Sequence, residues 1–285
     1  MIASTLTAAD YRYLSELVET HSGICVEDGK QYLFEARLAS VVRQHGHANI
    51  NQLVNQLRAS VTGAIHREAV EAMTTQETSF FRDGHPFEAL RKVILPELIA
   101  RRSQARRLTI WSAASSTGQE PYSLAILLRE HFPSLAHWDV KIIATDLCES
   151  VLGRARTGRY NRAEAARGLS APLLARYFQE DADGFLLREE VRRTVEFRQF
   201  NLAGPWGSLP EFDLILLRNV LIYFGPAAKR RVLEKTRGYL KPDGYLLLGA
   251  AETTLHVDEA YEVVHLERSS FYRIAPPRPL NRAAR

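Results

Sequence analysis

The chain has 285 residues, 46% of them apolar and 25% charged, about two average domains' worth of sequence with ample material for a core. No run approaches the ~20 consecutive apolar residues of a membrane-spanning helix. Asp10 and Arg12 interrupt the opening MIASTLTAADYRYL where a secretion signal would stay apolar, so a cytoplasmic location without membrane insertion is expected. Two cysteines, Cys25 and Cys148, are too few for a disulfide framework, and the 9 histidines show no metal-ligand spacing, so no metal is expected.

The formal charge of +4 and a pI near 9.1 suit an anionic partner. Only Arg101, Arg102, Arg106 and Arg107 cluster, however, and the simplest reading of that group is a solvated helix end leading into a strand. A nucleic-acid footprint would be denser and interleaved with aromatic residues, so no nucleic-acid partner is expected.

In chain order, Thr7 followed by Asp10 marks a helix start, Tyr11, Leu14 and Val18 follow at helical spacing, and Gly23 stops the helix. A second helix is predicted over 29–44, with Phe34, Leu38, Val41 and Val42 inward and Gly46 at its end. Helices over 51–59 and 64–73 complete a small bundle, giving an all-α domain over residues 1–75. The stretch MTTQETSFFRD then runs from Met73 to Asp83. It crowds hydroxyls against Phe80 and Phe81 and places Arg82 and Asp83 directly after them, which suits neither a regular helix nor a strand.

Beyond Pro86, short apolar runs alternate with helical segments: LTIWSAA from Leu108, VKIIATD from Val140, TVEFRQFN from Thr194, FDLILLRN from Phe212 and GYLLLGA from Gly244. Continuous apolar strands between helices predict an α/β fold with a parallel sheet covered on both faces. SSFYRI from Ser269 follows without a clear intervening helix and is expected to join antiparallel. Between Tyr160 and Arg193 a helix near 171–178 leads to a hairpin turn at Asp181-Ala182-Asp183-Gly184. This predicts a small β-subdomain inserted at about 178–195, either decoration or a docking surface, within a domain spanning 76–275. The tail 276–285 is expected to be disordered.

In a doubly wound sheet the ligand sits beyond the carboxyl ends of the strands, where strand order reverses. The first strand ends in SAASSTGQEPYSLAI, whose small residues from Ala113 to Gly118 admit close backbone approach. It carries neither the GxGxxG of a dinucleotide site nor the GK[ST] of a phosphate loop, which disfavours a nicotinamide oxidoreductase. Asp146, 28 residues after Gly118, can accept hydrogen bonds from both ribose hydroxyls or can cap the helix after Leu147. Asn201 and Asn219 close strands and can bind a purine edge or a cofactor tail, or simply make turns. An acid for ribose without glycines for pyrophosphate suggests a nucleoside lacking a diphosphate, and S-adenosylmethionine fits.

TTQETSFFRD, WSAASSTGQEPYSLA, ATD, FRQFNL, LLRNVLIYF and LKPDGYLLLGAAE occur in that order. With them the chain resembles, over nearly its whole length, the CheR family of chemotaxis-receptor glutamate O-methyltransferases. The resemblance implies a class I S-adenosylmethionine-dependent methyltransferase with a Rossmann-like sheet, leaving S-adenosylhomocysteine as product. It places Gln76, Thr78 and Arg82 at the methionine end of the cofactor, Glu120 on its amino group and Asp146 on its ribose. Asn201 and Leu202 would neighbour the adenine, with Asn219 and Val220 beneath the methionine portion. Many relatives have asparagine where this chain has Gln76, whose longer amide can make the same bonds.

The presumed acceptor, a glutamate carboxylate, titrates near 4.3 and needs no strong base; alignment and desolvation remain. Arg82 is expected to grip and steer that carboxylate and Tyr223 to align it. The competing readings are an ion pair of Arg82 with Asp83 or Glu88, and plain packing for Tyr223. The implied partner is the acidic cytoplasmic coiled coil of methyl-accepting chemoreceptors, met by a monomer recruited to membrane receptor arrays. Lys30 and Arg37, seven residues apart on the second helix, with Arg43 elsewhere on it, are the expected docking cations. The turn QEDADG looks short for capture of a receptor tail peptide, which favours peptide-independent recognition. Two alternatives remain: a class I methyltransferase acting on nucleic acid or an amine, and a receptor-binding module without turnover. Base-amine methylases carry an Asp/Asn-Pro-Pro-aromatic turn where this chain has Arg218-Asn219-Val220-Leu221.

Overall fold

The computed structural model describes residues 6–276 except 62, 208 and 267; the expected tail lies almost wholly outside them. Four helices open the chain: α1 (Ala8–Ser22), α2 (Gln31–Gln44), α3 (Ile50–Ala59) and α4 (Ala64–Ala72). Thr7 caps α1 through its side chain, which accepts from the Asp10 amide, and Gly23 ends it in the left-handed region at φ 76°. Tyr11, Leu14, Val18, Phe34, Leu38, Leu53 and Val54 lie at the centre of a core between these helices.

The second half forms ten strands: β1 (Arg107–Ala113), β2 (Asp139–Asp146), β3 (Arg159–Tyr160), β4 (Phe178–Asp181), β5 (Gly184–Leu187), β6 (Val195–Gln199), β7 (Phe212–Leu217), β8 (Leu240–Leu248), β9 (Tyr261–Leu266) and β10 (Ser269–Ile274). Seven of them make one sheet in the order β6-β2-β1-β7-β8-β10-β9. The first five in that order run parallel, and β10 is antiparallel to β8, as SSFYRI suggested. Both faces of the parallel part are covered by apolar side chains. The strand β9 was not anticipated. β3, β5 and β4 form a separate small antiparallel sheet, with Ala182 and Asp183 as the hairpin turn.

Strand order reverses between β1 and β7, and the register levels their ends: Ala113 lies beside Thr145 of β2 and beside Leu217 of β7. The loops leaving these strands therefore open at one rim of the sheet. The arginine cluster proves only partly solvated. Arg102 joins the fully buried Asp213 at 2.6 Å and Asp243 at 2.5 Å, at the opposite rim. Arg101 pairs with Glu97, and Arg107 with Asp139.

Candidate active site

At the switch-point rim the loops after β1, β2, β6 and β7 surround a cleft of about 870 Å³ including its open mouth. Two stretches roof it: Ser22 at the end of α1 with Ile24 just beyond, and Thr74 to Thr78 after α4. The roof is fastened by backbone. Ile24 makes an antiparallel bridge with Phe224, and the Cys25 amide donates to the Tyr223 carbonyl at 2.9 Å. Asn201 Nδ2 donates to the His21 carbonyl at 2.6 Å while Asn201 Oδ1 accepts from the Ala203 amide.

The loop after β1 turns through left-handed residues at Ala114 (φ 55°), Ser116 (φ 50°) and Gly118 (φ 91°). At Gly118 a Cβ would stand 3.0 Å from Ala155 Cβ and 3.2 Å from Phe197, so glycine allows the close packing as well as the turn. The Ser116 amide donates to Asp146 Oδ2 at 2.8 Å, and the Cys148 amide to Asp146 Oδ1 at 3.0 Å. Asp146 does not cap the following helix (Glu149–Thr157), whose N-cap is Cys148 without a side-chain bond; the Asp146 carboxylate braces the two loops and lines the cleft. Burial raises its pKa above the usual aspartate range, against the lowering effect of those amide bonds.

At the other end Glu120 accepts from the Ser112 hydroxyl at 2.8 Å and pairs with Arg218 at 3.0 Å. Arg218, its side chain 1% exposed, also pairs with Asp83 at 2.7 Å. This fixes Glu120 in the cleft wall and occupies Asp83. Glu88 is taken by Arg91 at 2.8 Å. The expected competitors for Arg82 are therefore engaged elsewhere. Arg82 donates to the Glu77 carbonyl at 3.0 Å, lines the cleft, and has no ion-pair partner among the described residues. The turn that presents it is strained at Phe81 (φ 46°) and Asp83 (φ 70°). Phe80, 1% exposed, anchors it edge-on to Tyr160 and Phe178, and the Phe81 amide is held by Ser123 Oγ at 2.9 Å.

Gln76, Thr78, Leu202, Asn219, Val220 and Tyr223 all line the same cleft. The Gln76 side-chain Nε2 donates back to Thr74 Oγ1, while the Gln76 backbone carbonyl accepts from Ser116 Oγ at 2.9 Å. Tyr223 packs against the core as its alternative reading held, with its hydroxyl unbonded among the described residues. Lys30 pairs with Glu27 at 2.8 Å, and Arg43 is exposed. Arg37 is turned inward: its guanidinium donates to the Met73 carbonyl, to the Thr74 carbonyl at 3.4 Å and to Thr75 Oγ1 at 3.0 Å.

Two residues that sequence reasoning left without roles organise the site. Arg218 ends the strand FDLILL, whose residues are at most 1% exposed, and a charge following so buried a run requires buried carboxylate partners. Glu252, in GAAE after β8, accepts from the amides of Gly249, Asn219, Val220 and Ile222 at 2.7–3.2 Å. It holds the loop after β7, including Asn219 in the left-handed region at φ 57°.

Sequence comparison identifies the builder of this cleft. The profile "CheR methyltransferase, SAM binding domain" matches residues 76–269, and "CheR methyltransferase, all-alpha domain" matches residues 9–74. The chain belongs to the CheR methyltransferase family. It is 38% identical over 268 residues to the chemotaxis protein methyltransferase Cher2 of Pseudomonas putida, covering 93% of this chain and 97% of that one. It is 40% identical over 269 residues to chemotaxis protein methyltransferase 1 of Pseudomonas aeruginosa, with the same coverages of 93% and 97%. The chemotaxis protein methyltransferase of Vibrio parahaemolyticus is 38% identical over 278 residues, covering 96% and 100%. The CheR chain is an S-adenosylmethionine-dependent methyltransferase, with the class I fold its sequence led us to expect.

The residues present suit that cofactor. The buried acid that ends β2 suits ribose hydroxyls, and Ile24, Leu147, Phe200 and Leu202 offer apolar flanks for a purine. Glu120 complements an ammonium. Ser115, in the cleft wall, has a buried hydroxyl without a partner among the described residues, the kind of group a bound ligand satisfies.

Proposed function

We propose that the protein methylates glutamate side chains of chemoreceptor cytoplasmic helices, making glutamyl methyl esters for sensory adaptation, and that it acts as a monomer. The observation carrying this reading is the unpaired Arg82 guanidinium in the cleft wall, a fork of donors suited to a carboxylate. When bound, S-adenosylmethionine supplies an electrophilic methyl on a sulfonium. The acceptor oxygen forms the new O–C bond as the S–C bond breaks, its electron pair returning to sulfur. No proton moves, because the acceptor is already ionised near neutral pH.

The chain's own residues bind, orient and exclude water. Asp146 holds the ribose, with Asn201 and Leu202 beside the base and Asn219 and Val220 beneath the methionine portion. Glu120, Gln76 and Thr78 position the amino-acid end. Arg82 draws the acceptor carboxylate in, and the Tyr223 hydroxyl aligns it. Ser22, Ile24 and Thr74 to Thr78 roof the cleft and keep water from the acceptor, so that positioning rather than proton transfer lowers the barrier, by up to roughly 7–11 kcal/mol.

Lys30 and Arg43 meet the acidic receptor surface, and Arg37 serves in this reading as a brace for Thr75, which its guanidinium bonds at 3.0 Å. With three of the four clustered arginines in ion pairs, a nucleic-acid acceptor gains no support. The test incubates the enzyme with methyl-labelled S-adenosylmethionine and a receptor cytoplasmic fragment. Label released by mild base, as from a carboxyl ester, is expected; base-stable label would place the methyl on nitrogen or carbon and overturn the assignment.

A further inference from the structure

A second cavity, about 490 Å³ including its mouth, lies on the same rim where β8 ends and β10 begins. Arg218 lines both it and the cofactor cleft. Its polar wall is short of partners. The two outer nitrogens of Arg218 are spent on Asp83 and Glu120, but its Nε is buried and unbonded, and so is the Ser269 hydroxyl. Arg268 is exposed and unpaired among the described residues. His85 uses only Nδ1, on the Asp83 carbonyl at 2.7 Å.

The acids on the wall are already engaged: one oxygen of Asp83 by Arg218, and both oxygens of Glu252 by backbone amides. What remains unsatisfied is donors. The wall's formal charges, Arg218 and Arg268 against Asp83 and Glu252, cancel, so an anion is drawn by the unpaired Arg268 guanidinium and the unsatisfied donors beside it, each costing about 1–3 kcal/mol when buried without a partner.

We propose that this cavity is an acceptor-side subsite that receives a second carboxylate, borne by the segment being methylated, with Arg268 as its principal donor. The inference rests on the glutamate-methylation reading above and adds a specificity determinant to it: Arg82 takes the reacting acid, and Arg268 a neighbouring one. Arg82 lines one cavity and Arg268 the other, and the two cavities share Arg218 as a wall.

The test measures acceptor KM and kcat for wild type, Arg268→Ala and Arg268→Glu. The acceptors are the unaltered receptor fragment and fragments in which each acidic residue within one helical turn of the methylated glutamate is changed singly to glutamine. On the unaltered fragment Arg268→Ala raises KM about two- to fivefold, as for a partly exposed ion pair, and Arg268→Glu raises it further. One glutamine replacement raises the wild-type KM by a similar factor and abolishes the difference between wild type and Arg268→Ala. Affinity for S-adenosylhomocysteine and the melting temperature stay unchanged. Equal KM increases on every fragment, or none on the unaltered one, overturn the subsite. Failure of wild type to place base-labile methyl on the fragment would instead overturn the reading of function on which it stands.

Discussion

Arg37 on α2 donates to the Thr75 hydroxyl at 3.0 Å, and through this contact the helical domain grips the strap that roofs the cofactor cleft. Two further contacts, to the carbonyls of Met73 and Thr74, make the grip a fork on consecutive residues. The residues that follow, Gln76 and Thr78, line the cleft. Arg37→Ala is expected to weaken S-adenosylhomocysteine binding by about 1–2 kcal/mol, or about 5- to 30-fold. Arg37→Lys recovers little, since a single ammonium cannot span three acceptors. Calorimetry with the product checks this. A variant that binds product normally but loses receptor affinity steeply with salt would return Arg37 to the docking surface.

Asp146 lies 7% exposed with a pKa raised mainly by burial. The ionised form accepts ribose hydroxyl protons, so affinity for S-adenosylhomocysteine depends on the carboxylate staying ionised. It should fall on acidification at a pH above the ~3.9 of an ordinary aspartate. The same shift sets the sign for stability. Ionisation of this side chain opposes folding above the raised pKa, and the opposition fades as pH falls through it towards the unfolded value. Asp146→Asn should weaken binding and flatten its pH profile. A profile unchanged by the substitution would assign the titration to another group.

The strands were legible because burial on both faces leaves continuous apolar runs; all six residues of FDLILL at β7 are buried. β9 was missed for the opposite reason. Within Tyr261–Leu266 only Tyr261 is buried, so its pattern resembles a loop, and only pairing with β10 makes it a strand. Asp146, Asn201 and Asn219 were legible because strand ends define the rim, and they line one cleft with the six further residues that the family resemblance supplied. The direction of Arg37 was not. Helical period fixes which residues share a side, but not which neighbouring segment that side meets, and the strap's three acceptors come from residues 36 to 38 positions onward.

The Arg82 side chain is bonded only to the Glu77 carbonyl among the described residues, so truncating it to alanine is expected to leave the fold intact. Arg82→Ala should lower kcat/KM for the receptor fragment by about 10²-fold or more, the scale of a lost pair of charge-assisted bonds. Arg82→Lys should restore charge but not the bidentate fork, and recover only part of that loss. Steady-state kinetics with circular dichroism as the folding control decides it. Turnover near wild type in Arg82→Ala would remove this side chain from the mechanism.

Glu252 shows how much of the site depends on a residue outside the reaction. One 9%-exposed carboxylate satisfies four backbone amides, three of them in the loop that carries Asn219, Val220 and Tyr223. The fit leaves no room for adjustment on the opposite strand end, where a Cβ at Gly249 would stand 2.7 Å from the carboxylate and 2.8 Å from the Asn219 amide. Without Glu252 those donors lose a charged acceptor while partly buried, and Asn219 loses the contacts that hold it in the left-handed region. Glu252→Ala should therefore cost about 2–4 kcal/mol of stability and weaken product binding even at temperatures where the chain stays folded. Glu252→Gln presents an amide nitrogen to an amide donor and should recover only part of either loss. Denaturant unfolding paired with product calorimetry separates the two effects. A destabilised variant that binds S-adenosylhomocysteine with wild-type affinity would show that this loop reaches its binding geometry without Glu252.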